Sequence, residues 1–94
     1  MSVKKALGVI ISTYNNPEWL EKTLWGYLFQ NRKADEIIIA DDGSGPETRF
    51  LIEKYQSLLP IKHVWHEDKG FRKTVILNKA LEIATADYLV FTDQ

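Results

Sequence analysis

The chain has 94 residues, of which 45% are hydrophobic and 27% charged, so it can form one small soluble domain with a modest core. Its net charge of −1 gives no electrostatic reason to expect nucleic acid or an anionic membrane as a partner. It has no cysteine, which excludes disulfides and thiolate metal sites, and no apolar run approaches the roughly 20 residues that span a bilayer.

The first part of the chain predicts a strand followed by a helix. Residues 7–11 are apolar and typical of a strand, and the polar run Ser12–Asn16 follows them. Pro17 directly after an asparagine fits a helix start with a side-chain cap and a proline in the first turn. We therefore predict a helix over residues 17–30.

The second predicted strand, residues 36–40, leads into the most informative motif of the chain. Its Ile37–Ile39 run is typical of a strand buried on both faces. The strand stops at two adjacent carboxylates, Asp41 and Asp42, and a Gly-Ser-Gly turn follows. Open parallel sheets bind ligands at the carboxyl ends of their strands, so two acids there favour a polar, hydroxyl-rich or metal-bound ligand.

A second helix is predicted from Ser44 to about residue 58. Ser44 and Glu47 have the spacing of a capping box, in which each side chain accepts from the other residue's backbone N–H. Pro60 ends this segment. The apolar side chains that the helix is expected to bury are Phe50, Leu51, Tyr55 and Leu58.

A strand, a helix and a final strand complete the chain. Alternating side chains over residues 61–66 predict the third strand. Apolar residues at helical spacing predict a helix over residues 71–84. The last strand, residues 87–92, is apolar and closes on another acid, Asp93.

This alternation of strands and helices predicts an α/β, Rossmann-like fold with four parallel strands and helical crossovers. With right-handed connections, a 3-2-1-4 strand order places the first two helices on one face of the sheet and the third on the other. The face opposite the first two helices would then be only partly covered, and the fourth strand would be an open edge. Open edges pair readily with other chains, so we expect a homodimer.

Four polar segments converge at the carboxyl edge of such a sheet. A carboxylate there can accept from a base N–H, and the ring of Tyr14 can cover the base. Arg72 and Lys73 can neutralise a diphosphate, and Asp93 can hold a ribose hydroxyl or a divalent cation. The sequence therefore predicts a nucleotide site built from Ser12–Tyr14, Asp41–Asp42, Lys69–Lys73 and Asp93.

These motifs, in this order, resemble the family-two nucleotide-sugar glycosyltransferases of the GT-A fold. The matching segments are Val9–Asn15, Asp41–Ser44, Glu67–Arg72 and Tyr88–Asp93, which together extend over nearly the whole chain. The chain is similar to the N-terminal, nucleotide-binding half of such an enzyme. Residues 1–94 are therefore expected to be that part of one domain, truncated at the metal motif.

The resemblance implies a role for the first two polar segments in binding the nucleotide. Thr13 and Tyr14 would line the nucleotide pocket. Asp42 would accept a hydrogen bond from the base, and Asp41 would support it.

The resemblance also implies roles for the last two segments. Gly70 and Arg72 would lie near the ribose and the diphosphate. Asp93 would be the first acid of the family's Asp-x-Asp motif and would hold Mn²⁺ or Mg²⁺. The second acid and the catalytic base are expected after Gln94, so no catalytic residue is expected within this chain.

The implied reaction is an inverting transfer of a sugar from a nucleotide-diphosphate donor, with UDP as the commonest carrier in the family. A base would deprotonate an acceptor hydroxyl on a polysaccharide or glycolipid, and this oxygen would displace the diphosphate in one step. We expect the chain alone to be inactive. The whole enzyme is expected in the cytoplasm or peripherally at the inner face of the membrane.

Other nucleotide-binding classes fit the sequence less well. A dinucleotide-binding oxidoreductase needs Gly-x-Gly-x-x-Gly after the first strand, and Ser12–Pro17 contains no glycine. A phospho-acceptor receiver domain would carry its acid cluster after the first strand, not the second. His63 and His66 lie three apart on a predicted strand, hence on opposite faces, so they are not expected to share a metal. The remaining alternative is a non-catalytic nucleotide-binding or self-associating module.

Overall fold

A computed structural model describes residues 5–70 and 72–93 of the chain. Strands and helices alternate along it, and the four strands form one parallel sheet in the order β3-β2-β1-β4. This confirms the predicted α/β fold and the 3-2-1-4 strand order. The elements are β1 (Leu7–Thr13), α1 (Pro17–Leu28), β2 (Glu36–Asp41), α2 (Pro46–Gln56), β3 (Ile61–Trp65), α3 (Lys73–Ile83) and β4 (Tyr88–Thr92).

The two faces of the sheet carry separate hydrophobic cores, as predicted. Alternate residues of β1 and β2 point to opposite faces, so each face receives its own set of β-branched side chains. The core under α1 and α2 contains Val9, Ile11, Ile37 and Ile39. The core under α3 contains Ile10, Ile38 and Ala40.

β4 is an edge strand with exposed apolar side chains, as the predicted strand order requires, but the sheet face under α3 is covered more fully than expected. The side chains Ile10 and Ile38 are fully buried, because α3 packs across β1, β2 and β3. In contrast, Tyr88 is 58% exposed and Phe91 is 56% exposed. Val90 pairs with Val9 and Phe91 with Ile10, so the exposed side chains of β4 lie on both faces of the sheet. α3 thus covers the part of its sheet face at Ile10 and Ile38 that was expected to be partly bare, and exposed apolar side chains remain on the edge strand β4.

The start of α2 differs from the predicted capping box. The N-cap residue is Gly45, which provides no side-chain cap, and the helix begins at Pro46. The Ser44 hydroxyl instead accepts from the backbone N–H of Asn15 at 2.8 Å and so joins the two loops at the ends of β1 and β2. Ser44 therefore braces these loops and caps no helix.

The buried face of α2 also differs from the prediction. Phe50 and Leu58 are more than half exposed. The side chains at helical spacing that face the sheet are Thr48, Ile52 and Tyr55. Tyr55 is thus buried as predicted, and Leu51 packs partly buried against the core, whereas Phe50 and Leu58 lie on the exposed side of the helix.

β1 and β2 each run further than predicted, to Thr13 and to Asp41. These last residues pair with each other in the parallel register. The polar ends of both strands are therefore held by the sheet itself, which fixes the backbone at its carboxyl edge. The third helix begins at Lys73, and the predicted start at residue 71 lies outside the described residues.

Candidate functional site

The predicted polar segments do meet at the carboxyl edge of the sheet. β4 lies next to β1, with Ile11 paired to Thr92, so Asp93 follows beside Ser12. The Ser12 hydroxyl donates to the Asp93 carboxylate. A cleft of about 120 Å³ opens at this edge, and the described residues that line it are Ser12, Thr13, Tyr14, Ala40, Asp42, Lys73 and Ile76.

Asp42 is the buried acid of this cleft. It is 7% exposed, and its carboxylate receives a hydrogen bond from His66 Nε2 and another, at 3.0 Å, from the backbone N–H of Arg72. Burial alone would raise the pKa of Asp42, but these two hydrogen bonds outweigh it and hold the pKa below its ordinary value. Asp42 is therefore a fixed negative charge at neutral pH.

Asp41 serves the turn after β2. It is 1% exposed, so it offers almost no surface to a ligand. One carboxylate oxygen accepts from the Ser44 N–H, and the other lies 2.8 Å from His63 Nε2. Gly43, which directly precedes Ser44 in this turn, has φ +94°, and a Cβ at this position would lie 2.5 Å from the Asp68 Cα. The turn therefore needs glycine, and Asp41 holds it closed directly behind Asp42.

Tyr14 and Thr13 form one wall of the cleft. Thr13 is 3% exposed, whereas Tyr14 is 43% exposed. The Tyr14 hydroxyl donates to the Asp68 carboxylate at 2.5 Å, and this hydrogen bond raises the pKa of Tyr14. The ring is thus tethered at its tip, with accessible surface beside Asp42.

The cation that lines the cleft is Lys73, whereas sequence reasoning favoured Arg72. Lys73 is the first residue of α3, and its Nζ lies 2.5 Å from the Asp93 carboxylate. The Arg72 guanidinium turns toward the preceding loop, where Nη2 donates to the Glu67 carbonyl at 2.9 Å. Gly70 has φ +81° in that loop and allows the chain to turn back toward α3.

Comparison with protein families identifies this arrangement. The model of "Glycosyl transferase family 2" matches residues 8–94. The chain belongs to this family. Validoxylamine A glucosyltransferase from Streptomyces hygroscopicus subsp. jinggangensis is 36% identical over 93% of the chain, which spans 21% of that protein. Chondroitin synthase from Escherichia coli is 34% identical over 93% of the chain, which spans 13% of that protein.

Solved structures of glycosyltransferases share the fold. Staphylococcus aureus TarS superimposes with a TM-score of 0.84 and 27% identity, over 94% of this chain and 16% of that one. The mannosyltransferase PcManGT from Pyrobaculum calidifontis, solved in complex with GDP-Man and Mn²⁺, gives a TM-score of 0.70 and 27% identity, over 98% of this chain and 28% of that one. The GT-A fold of this family-two chain is thereby confirmed, and the chain spans a small part of each relative.

Asp93 is the residue of this family-two chain that the sequence predicts as a metal ligand. Its side chain is 64% exposed. Hydrogen bonds from Lys73 and Ser12 keep its pKa below the ordinary value. Within residues 5–70 and 72–93, no three acidic or histidine side chains are grouped as a metal site. One exposed carboxylate nevertheless fits the usual mode of Mg²⁺, which takes one or two carboxylates and completes its shell with substrate phosphates and water.

His66 is the functional candidate that sequence reasoning missed. The sequence offers His66 only as half of a possible metal pair with His63, whereas in the structure His66 contacts Asp42 and His63 contacts Asp41. The parallel register explains the contact of His66 with Asp42. Asp41 pairs with Trp65, so the residues that follow them, Asp42 and His66, also lie side by side. A correct β2–β3 register, had it been available from the sequence, would have placed His66 beside Asp42.

Proposed function

We propose that this chain is the nucleotide-sugar-binding part of an inverting glycosyltransferase that uses a UDP-sugar. The observation that carries the proposal is the Asp42 carboxylate, charged and buried, at the side of a cleft open to solvent. The predicted roles of Thr13, Tyr14, Asp41, Gly70, Arg72 and Asp93 are part of this proposal.

The cleft suits one component of the donor rather than the whole molecule. Its volume, about 120 Å³, is well below the roughly 300–1,000 Å³ of pockets that enclose a complete ligand. A carboxylate has about four acceptor positions, of which His66 and the Arg72 N–H take two. Asp42 can therefore still accept a hydrogen bond from the N–H of a uracil base, and the accessible ring of Tyr14 can cover that base.

The diphosphate would then lie on the Lys73 side of the cleft, next to Asp93. Lys73 supplies a positive charge, and the N-terminus of α3 adds the partial positive charge of a helix start. A divalent cation held by Asp93 would offset the charge of the departing diphosphate. The mannosyltransferase that was solved with GDP-Man and Mn²⁺ supports both the donor class and the ion.

The acceptor and the catalytic base belong to the whole protein. We propose a saccharide or glycolipid hydroxyl as the acceptor, which the likeness to a chondroitin synthase supports. The residue that deprotonates this hydroxyl would lie outside the present chain, so this chain binds the donor without transferring sugar. No helix within residues 5–70 and 72–93 is long and apolar enough to cross a membrane. For the whole protein we propose a location in the cytoplasm or peripherally at the inner face of the membrane.

The proposal is tested by calorimetric titration of UDP, with and without Mn²⁺, into the wild-type chain and the variant Asp42→Ala. Loss of a hydrogen bond to a charged group weakens UDP binding by about 1.5–3 kcal/mol, or roughly 10- to 150-fold. Glu67→Gln removes an exposed charge from the nearby loop and serves as the control. An unchanged affinity in a folded Asp42→Ala variant, checked by circular dichroism, would make Asp42 a turn residue.

We also propose that the bare edge strand pairs two copies of the chain. β4 has a hydrogen-bonded neighbour only on its β1 side within the described sheet. Its exposed apolar side chains are Tyr88, Val90 and Phe91. Light scattering over a concentration series is expected to show a dimer, and a monomer at high micromolar concentration would contradict this pairing.

A further inference from the structure

We infer that His66 is a positioning residue, which fixes the orientation of the Asp42 carboxylate for the nucleobase. The inference rests on the proposed function, in which Asp42 accepts from the base. His66 follows β3 directly, is 6% exposed and is not among the described residues that line the cleft, whereas Asp42 lines it. Because His66 Nε2 contacts the Asp42 carboxylate, we expect His66 to affect nucleotide binding through Asp42.

The carboxylate of Asp42 needs such support, because the terminal torsion of an aspartate is broad and has no sharp rotamer. Two donors from separate elements restrict it. His66 Nε2 approaches one oxygen from the end of β3, and the Arg72 N–H approaches the other at 3.0 Å from the start of α3. With one donor on each oxygen, the carboxylate is held in one orientation, and each oxygen keeps a free acceptor position.

The second ring nitrogen of His66 argues against a purely structural role. Asp42 is charged, so Nε2 carries the proton in this contact, and Nδ1 is left buried with no hydrogen-bond partner in the described chain. A buried polar atom without a partner is destabilising, and an apolar side chain of similar size would avoid that cost. Among the described residues, the bond to Asp42 is thus the one hydrogen bond that the buried ring makes.

A second histidine provides a matched control. His63, which lies within β3 three residues before His66, contacts the Asp41 carboxylate through Nε2 at 2.8 Å with the same chemistry. Asp41, however, is the acid that braces the turn and offers almost no surface to a ligand. Changes at His63 should therefore alter stability, with little effect on nucleotide binding.

The test compares His66→Gln with His66→Leu in calorimetric titrations of UDP. The glutamine amide can place an N–H where the imidazole Nε2–H lies, whereas leucine fills the volume without a donor. We expect His66→Leu to weaken UDP binding about tenfold or more, and His66→Gln to stay within about threefold of wild type. His63→Leu is expected to stay within about threefold as well, and thermal melts show which variants are folded.

A second measurement follows Asp42 directly, by its carboxylate ¹³C shift during an acid titration. We expect the pKa of Asp42 to rise in His66→Leu and to stay lowered in His66→Gln. If folded His66→Leu binds UDP as wild type does, or if both substitutions weaken binding equally, His66 only fills space and the inference is wrong. If the wild-type chain itself does not bind UDP, the proposed function fails first and the positioning role falls with it.

Discussion

Each end of the sheet buries a carboxylate, Glu36 at the amino end and Asp42 at the carboxyl end, but of these two only Asp42 lines the cleft to which we assign the nucleotide. At the amino end, Glu36 is 4% exposed and accepts from the Lys62 ammonium at 2.6 Å and from the backbone N–H groups of Thr85 and Ala86. At the carboxyl end, Asp42 receives two donors and lines an open cleft. Glu36 thus links β2 to β3 and to the loop before β4. Asp42 instead lies at a cleft from which a ligand can displace water.

Electrostatics alone do not separate these two acids. Burial by itself would raise the pKa of both, and in both cases hydrogen bonds outweigh burial and lower the pKa. The difference lies in the surroundings. Within the described residues, the buried side-chain polar atoms that lack a partner are His66 Nδ1 and Arg72 Nε, and both belong to neighbours of Asp42. A buried acid with a lowered pKa therefore indicates a site only where a cleft and incomplete pairing accompany it.

The largest expected effect is the loss of stability when the carboxylate at the amino end of the sheet is removed. Glu36→Ala leaves the N–H groups of Thr85 and Ala86 without their buried acceptor, so we expect the free energy of unfolding to fall by about 3 kcal/mol. Urea denaturation measures this loss, and UDP affinity of the folded variant should not change. The control is Glu53→Ala, an exposed partner of Arg49 whose loss should cost less than about 0.5 kcal/mol. Equal losses of unfolding free energy in Glu36→Ala and Glu53→Ala would show that the buried contacts of Glu36 do not stabilise the fold.

A second prediction concerns the close packing at the amino end. A Cβ at Gly8 would lie 2.8 Å from both the Ala86 Cβ and the Leu89 Cδ2, so Gly8→Ala should destabilise the fold by about 1–3 kcal/mol. Gly26 lies inside α1, where an added Cβ would meet no neighbouring atom within 4 Å, so Gly26→Ala should stabilise by about 0.5–1 kcal/mol. Opposite shifts in melting temperature are expected. Shifts of the same sign would contradict the packing described for Gly8.

The smallest expected effect is on the pH dependence of stability. The pKa of Glu36 is lower in the folded chain than in the unfolded one, so its contribution is complete above the unfolded value, about 4.3, and is lost as the pH falls through the folded value. Glu36→Gln should therefore flatten the decline of melting temperature between about pH 5 and more acid solution. A decline as steep as in the wild type would assign the acid sensitivity to other carboxylates.

Much of the fold could be predicted from local pattern. The Ile37–Ile39 run required burial on both faces, and the alternation of strands with helices required a parallel sheet. The acids at the ends of β2 and β4 could also be placed at one edge, because parallel strands end together. All of these inferences depend on period and order along the chain.

The partners of those acids could not be predicted. The contact of His66 with Asp42 depends on the β2–β3 register, and that of Tyr14 with Asp68 depends on the path of a loop. Glu36 gave no signal at all, because a carboxylate at the start of a strand is ordinarily exposed. Its burial results from a loop that is far away in sequence, around Thr85.

The most direct test of the account is chemical-shift mapping of the ¹⁵N-labelled chain during a titration with UDP. We expect the backbone amides of Tyr14, Asp42 and Lys73 to shift in a saturable way, because they surround the cleft at the carboxyl edge. The chemical shifts of the Glu36 and Thr85 amides, at the opposite end of the sheet, should not change. Shifts that cluster at the amino end, or no saturable shifts at either end, would contradict the proposal that the carboxyl edge binds the nucleotide.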